Sequence, residues 1–209
     1  MQAIKSLVLP GLLSAFLSTV ANAQDPSNNG PFDPSGTWAV GGGIEQVKFD
    51  RQQAAQEFIE DSATAIYFEG EYFFNRLFST SFGMGFYFYD DNASFSEWVE
   101  DWTGDDDYTS SDASGVPVYA EAGYKQFFGA DGRTYVTVRG GLSLMLASER
   151  SISNCSDCYE EDIDIEGGGY GAVGAGVRLG TSFLLGVHYK RFFSGDIESA
   201  TGLNLSYQF

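Results

Sequence analysis

Eight stretches of alternating apolar and polar residues constrain this chain more than any other feature. They fall at roughly 36–49, 63–73, 76–89, 116–127, 133–146, 167–179, 182–192 and 200–209. In the third, Phe82, Met84, Phe86 and Phe88 oppose Ser81, Gly83, Gly85 and Tyr87. In the fifth, Val136, Val138, Leu142 and Leu144 oppose Thr137, Arg139, Gly141 and Ser143. The seventh sets Phe183, Leu185, Val187 and Tyr189 against Gly186, His188 and Lys190. Period two puts alternate side chains on opposite faces of a strand. Each segment is long enough to cross a bilayer at a tilt, which takes about 9–11 residues. A soluble sandwich alternates as well, so the connections must separate the two.

The connections are sorted by length. The long ones are about 50–62, 90–115, 147–166 and 193–199; the short ones are Phe74-Asn75, Phe128 to Gly132, and Gly180-Thr181. Tight turns at one end and long loops at the other mark a transmembrane barrel of a bacterial outer membrane. The fold class expected is therefore all-β: an eight-stranded antiparallel up-and-down transmembrane β-barrel. An even strand number puts both termini at the short-turn end, expected to be periplasmic, with the long loops extracellular. Aromatics make up 16% of the chain and gather where the strands end. Phe73, Phe74, Phe127, Phe128, Phe183 and Phe209 lie near the short turns; Phe86, Phe88, Tyr189, Phe192 and Phe193 lie near the long loops. Two interfacial rings are expected of such a barrel.

The N-terminus reads as an export signal. Lys5 supplies a positive n-region, Leu7 to Val20 an apolar stretch, and Ala21-Asn22-Ala23 a small-x-small site, so cleavage is expected between Ala23 and Gln24. Residues 24–35, rich in Pro, Asn and Gly, read as a flexible lead-in, and 36–209 as the barrel domain.

The last run, Leu203-Asn204-Leu205-Ser206-Tyr207-Gln208-Phe209, alternates and ends in an aromatic. It resembles the C-terminal assembly signal of outer-membrane barrels, carried here by Leu203, Leu205, Tyr207 and Phe209. From about Trp38 to Phe209 the layout resembles the small barrels of the OmpA and OmpX type. That resemblance implies a Gram-negative outer membrane as location. It implies contact with outer-membrane lipids and lipopolysaccharide, and handling by the barrel-assembly machinery. A monomer is expected, and an extracellular ligand or host surface is the partner class for the loops.

Charge narrows the function further. The chain carries 11 bases against 29 acids, a net charge of −18. Nucleic-acid binding needs clustered Lys and Arg, so that class is excluded. By parity, Glu69, Glu71, Glu121, Lys125, Arg139, Arg178, His188 and Lys190 point inward. Glu121 and Arg139 are placed to pair, and Glu69 to reach Arg139. An eight-stranded barrel is just wide enough for side chains to fill, so a salt-bridged plug is expected. The other reading, implied by the resemblance to OmpA-type barrels, is a narrow gated pore of low conductance.

Gly186 to Lys190, followed by Gly195 to Ser199, resembles the end of the lipid A deacylases. Those enzymes use a His-x-Ser pair, and Lys190 occupies the nucleophile position here. No enzyme is expected and no cofactor is called for. The 90–115 connection holds nine acids and no base, with Asp105-x-Asp107-x-Thr109 in the opening spacing of a Ca²⁺ loop. The following Gly and the closing Glu are missing, so no metal is assigned. Cys155 and Cys158, with Asp157, Glu160, Glu161 and Asp162 around them, read as a loop disulfide rather than a redox or zinc site.

Overall fold

A computed structural model of the chain describes residues 32–95, 111–152 and 159–209. Its strands are β1 (Trp38–Phe49), β2 (Ile59–Phe73), β3 (Phe78–Asp91), β4 (Asp112–Phe128), β5 (Thr134–Ile152), β6 (Tyr159–Asp162), β7 (Gly169–Leu179), β8 (Phe183–Phe192) and β9 (Ile197–Gln208). Consecutive staves pair antiparallel around the ring, and β1 closes it on β9 from Ala39↔Gln208 to Phe49↔Ile197. Eight strands form the wall. The short β6 pairs only with the far end of β5, Glu149↔Asp162 to Ile152↔Tyr159. The architecture is the eight-stranded antiparallel barrel that the alternation predicts.

The staves outrun the predicted segments at the long-loop end. β5 has 19 residues, about twice what spanning requires. The sheet therefore continues beyond the bilayer, and residues read as loop, such as 147–152, are strand. One connection expected to be long is tight. Residues 193–196 join β8 to β9, with Gly195 at φ +78°, a conformation that favours glycine. The β1–β2 connection holds a short helix, α1 (Arg51–Gln56). Asp50 caps it, accepting from the backbone N–H groups of Gln52 and Gln53 at 2.9 and 3.1 Å.

The wall is inverted relative to a soluble protein. Outward positions carry Ile44, Phe68, Val138, Leu142, Val187 and Leu203, all exposed, with Leu142 at 66%. Inward positions carry most of the buried polar groups. Such an apolar exterior is stable only against lipid. At the short-turn end, outward rings form a ladder across four strands. Trp38–Tyr72, Tyr72–Phe74, Phe74–Phe78 and Phe78–Tyr124 have centroids 5.0, 4.9, 6.0 and 5.9 Å apart. Phe88, Tyr189 and Phe193 are exposed near the other end. Phe73, Phe127 and Phe192, expected in these rings, point inward and are buried. They sit on the inward parity of their strands, and parity overrides proximity to a strand end.

Inside, bulky rings lie over glycines. A Cβ on Gly141 would come within 2.7 Å of the Tyr170 ring, and one on Gly83 within 2.5 Å of Tyr119. Gly141→Val is expected to destabilise the barrel by about 1–3 kcal/mol, the range for overpacking a filled interior. Chemical unfolding in detergent micelles measures it; an unchanged midpoint would show that Tyr170 is free to move aside.

Candidate functional site

The lumen holds one continuous chain of alternating charges. Lys125 Nζ donates to Glu71 Oε2 at 2.7 Å. Arg139 bridges Glu71 on one side and Glu121 on the other, its Nη1 lying 3.2 Å from Glu121 Oε2. Lys190 Nζ stands 3.7 Å from Glu121 Oε1 and donates to Glu45 Oε1 at 2.7 Å. His188 Nε2 lies 2.7 Å from the same oxygen; a carboxylate only accepts, so Nε2 carries the hydrogen. Ser79 and Tyr170 hydroxyls add donors to Glu71 and Glu121 at 2.7 and 2.8 Å. Both lysines are also caged by rings. Lys125 Nζ is 4.6 Å from the Tyr135 centroid, and Lys190 Nζ is 4.6 Å from that of Tyr119.

Register explains the grouping. Glu71 pairs with Ser81, and Ser81 with Glu121, so these residues form one rung across β2, β3 and β4. Arg139 therefore meets Glu71, not the expected Glu69, which makes no salt bridge among the described residues. Glu69 instead lines a cavity of about 40 Å³ with Tyr135, Thr137 and Asn204. That volume admits about two or three waters. Arg178 does not join the network. It points inward but lies at the short-turn mouth, 3.9 Å from the Phe32 ring and donating to the Asp131 carbonyl at 2.9 Å. Glu45 was missed, although its inward parity on β1, opposite Val40 and Ile44, was available.

Apolar layers close the charged middle at both ends. At the short-turn end Ala39, Phe73, Phe127, Tyr135 and Leu184 cluster, with Phe32 against them. At the long-loop end Phe49, Ile59, Tyr87, Ile163, Ile165 and Phe192 belong to a larger cluster.

Above it lies a second ionic centre that sequence reading did not find. Arg150 is 0% exposed. Its Nε donates to Asp91 Oδ1 at 3.0 Å, its Nη1 to Glu161, and its Nη2 to the carbonyls of Glu57 and Phe58 at 2.8 and 3.1 Å. Its face covers the Phe95 ring at 4.0 Å. Arg150 fell in the expected 147–166 loop, which β5 enters as strand to Ile152, and extending the alternation of β5 would not have found it either. Pro117, which lacks an N–H, pairs with Met145, whereas Val116 pairs with Ala147, so Leu146 is an extra residue. The bulge shifts inward parity from odd to even, and Arg150 turns in.

The remaining sequence-derived sites have these positions. Leu203, Leu205 and Tyr207 face outward and exposed on β9, beside the β1 seam, with Phe209 following the strand. Ala23, Gln24, Asp105, Asp107, Cys155 and Cys158 lie outside the described residues.

An apolar exterior around a charged, plugged interior defines an integral membrane β-barrel. The model of the outer membrane protein β-barrel domain matches residues 11–209, and the chain belongs to that family; its location is the outer membrane. No curated protein matches the chain in sequence. Among solved structures, Ail of Yersinia pestis in complex with the heparin analogue sucrose octasulfate is similar at a TM-score of 0.50 and 11% identity, covering 84% of this chain and 99% of Ail. The N-terminal barrel of Pseudomonas aeruginosa OprF gives 0.45 and 14%, over 84% of this chain and 98% of that one. Neisserial surface protein A gives 0.44 and 11%, over 85% and 97%.

Proposed function

We propose that the protein anchors an acidic extracellular platform in the outer membrane and that this platform binds cationic partners. Charge segregation carries the reading. Among the described residues, the long-loop end and its connections hold 15 acids against four bases (Lys48, Arg51, Arg150 and Arg191). The short-turn end holds Asp33 and Asp131 against Arg76, Arg133 and Arg178. Seven more acids, at 97, 100, 101, 105, 106, 107 and 157, fall in the same long connections by sequence. Such a one-sided field attracts and steers cations. It also repels polyanions, so this chain is read as opposite in preference to a barrel that holds a heparin analogue.

Termini in the periplasm, long loops outside, export by a cleaved leader, and handling by the assembly machinery through the β9 terminus belong to the same reading. The lumen is proposed not to conduct, because its charges other than Glu69 are linked in ion pairs and both ends are apolar. No catalysis is proposed. His188 is engaged by Glu45 inside the barrel, away from lipid, and Lys190 occupies the place a nucleophile would need.

The test uses protein reconstituted in vesicles and a fluorescent oligolysine probe. Binding is expected at low salt. It is expected to weaken at least about tenfold between about 0.01 and 1 M salt, as the Debye length contracts from about 30 to 3 Å. No oligolysine binding at low salt, or equal binding of a heparin oligosaccharide, would overturn the platform reading.

A further inference from the structure

Arg150 draws together parts of the chain that are far apart in sequence. Glu57 and Phe58 follow α1 in the β1–β2 connection. Asp91 ends β3, and Phe95 follows it. Glu161 belongs to β6, beyond β5. Asp91 in turn accepts from the backbone N–H and hydroxyl of Ser111, ahead of β4, at 3.0 and 2.9 Å. One guanidinium thus fastens three separate connections to the barrel mouth.

Two observations show that the fastening is specific. Phe58 holds φ +53°, a conformation unfavourable for a bulky residue, with its carbonyl aimed at Arg150. The contacts also use nearly all that a guanidinium offers. Four N–H bonds point in different in-plane directions, and the flat face lies on a ring. An ammonium has neither the fork nor the face. Further anchors run between the same connections without Arg150. Gln53 Nε2 donates to the Asp164 carbonyl at 2.7 Å, and the Asp164 N–H donates to Glu57 Oε2 at 2.9 Å.

We infer that Arg150 is the positioning residue that locks the described parts of these three connections, around Glu57–Phe58, Asp91–Phe95 and Glu161, into one preformed face, on which a cationic partner docks without first ordering those parts. The docking half of this inference rests on the platform reading above; the locking half does not. A preformed face retains more of its gross interaction energy, because little ordering entropy is lost on binding.

The experiment compares wild type, Arg150→Ala, Arg150→Lys, Glu161→Gln and, as control, the exposed base Arg191→Ala, all in vesicles. The first readout is the rate of cleavage by a protease specific for acidic residues, with gel mobility before heating reporting whether the barrel itself is folded. Arg150→Ala is expected to speed cleavage within 50–62 and 159–166 at least about tenfold, the signature of local opening. Arg150→Lys is expected to rescue little of this. Glu161→Gln, the milder change, is expected to act in the same direction on 159–166, and Arg191→Ala to leave cleavage unchanged. The second readout is oligolysine dissociation, expected to accelerate in step with cleavage. Unchanged cleavage in folded Arg150→Ala overturns the inference, as does full protection in Arg150→Lys. If Arg150→Ala does not fold, unchanged cleavage in Glu161→Gln overturns it instead. Faster cleavage with unaltered oligolysine dissociation overturns the link from locking to docking. Failure of oligolysine to bind wild type sinks the platform reading, while the cleavage series still decides the role of Arg150.

Discussion

Arg139→Ala is expected to destabilise the folded barrel by about 3–5 kcal/mol, the cost of removing one partner from a buried ionic network. Arg139 lies between Glu71 and Glu121, and both carboxylates are buried. Lys125 and Lys190 stay to hold one each. The two acids would then face each other across the gap, with Glu69 nearby and only the small cavity beside them to admit water. Exchanging both members of the pair with Glu121, Arg139→Met with Glu121→Gln, should cost less than the single change, because Glu71 keeps Lys125 and Lys190 keeps Glu45. Equilibrium urea unfolding in lipid vesicles measures both. A single-variant loss below about 1 kcal/mol would mean that the lumen is wet enough to solvate the acids. Planar-bilayer conductance should stay at background for wild type and for Arg139→Ala alike, since the apolar layers at both mouths are untouched by the change. A current that opens in the variant would instead favour the gated pore.

Val187→Arg is the second large effect, expected to cost about 2–4 kcal/mol in vesicles. Val187 is 53% exposed on β8 and lies between Phe183 near the short turns and Phe193 near the long loops. That places it near the middle of the apolar belt, where a guanidinium loses its hydration and gains no partner. Glu60→Arg, at an exposed site beyond the belt, should change stability by no more than about 0.5 kcal/mol. Equal effects at the two sites would contradict a lipid-facing β8.

These residues also show how far a sequence can be read. The identity of the wall was local information. In a strand, neighbours on either side of a residue point the other way, so Val187 outward and His188 inward followed from position alone. The same rule gave inward Glu71, Glu121, Lys125, Arg139 and Lys190. It was not applied to Arg150, which lay in the expected 147–166 loop, and applied there it would have failed, because the chain departs from strict period two. The extra residue at Leu146 turned Arg150 inward against the parity of Arg139, and no local pattern announced it. Pro117 was the available sign, but it lies on the neighbouring strand.

Depth along the lumen was not local either. Glu69 and Glu71 share a parity, yet only Glu71 meets Arg139. Arg178 shares the parity of the lumen-facing residues on β7 and ends at the short-turn mouth beside Phe32. Those outcomes depend on stagger between strands, which is set by closing the whole ring. Sequence by itself determined the strand number and the two faces, because side-chain alternation acts within a few residues; the loop sorting was legible except at 193–196, which is a tight turn. Only the tertiary structure decided which charges meet, which aromatics seal the mouths, and that one arginine ties the long connections together. Register and bulges are properties of paired strands, and no single strand contains them.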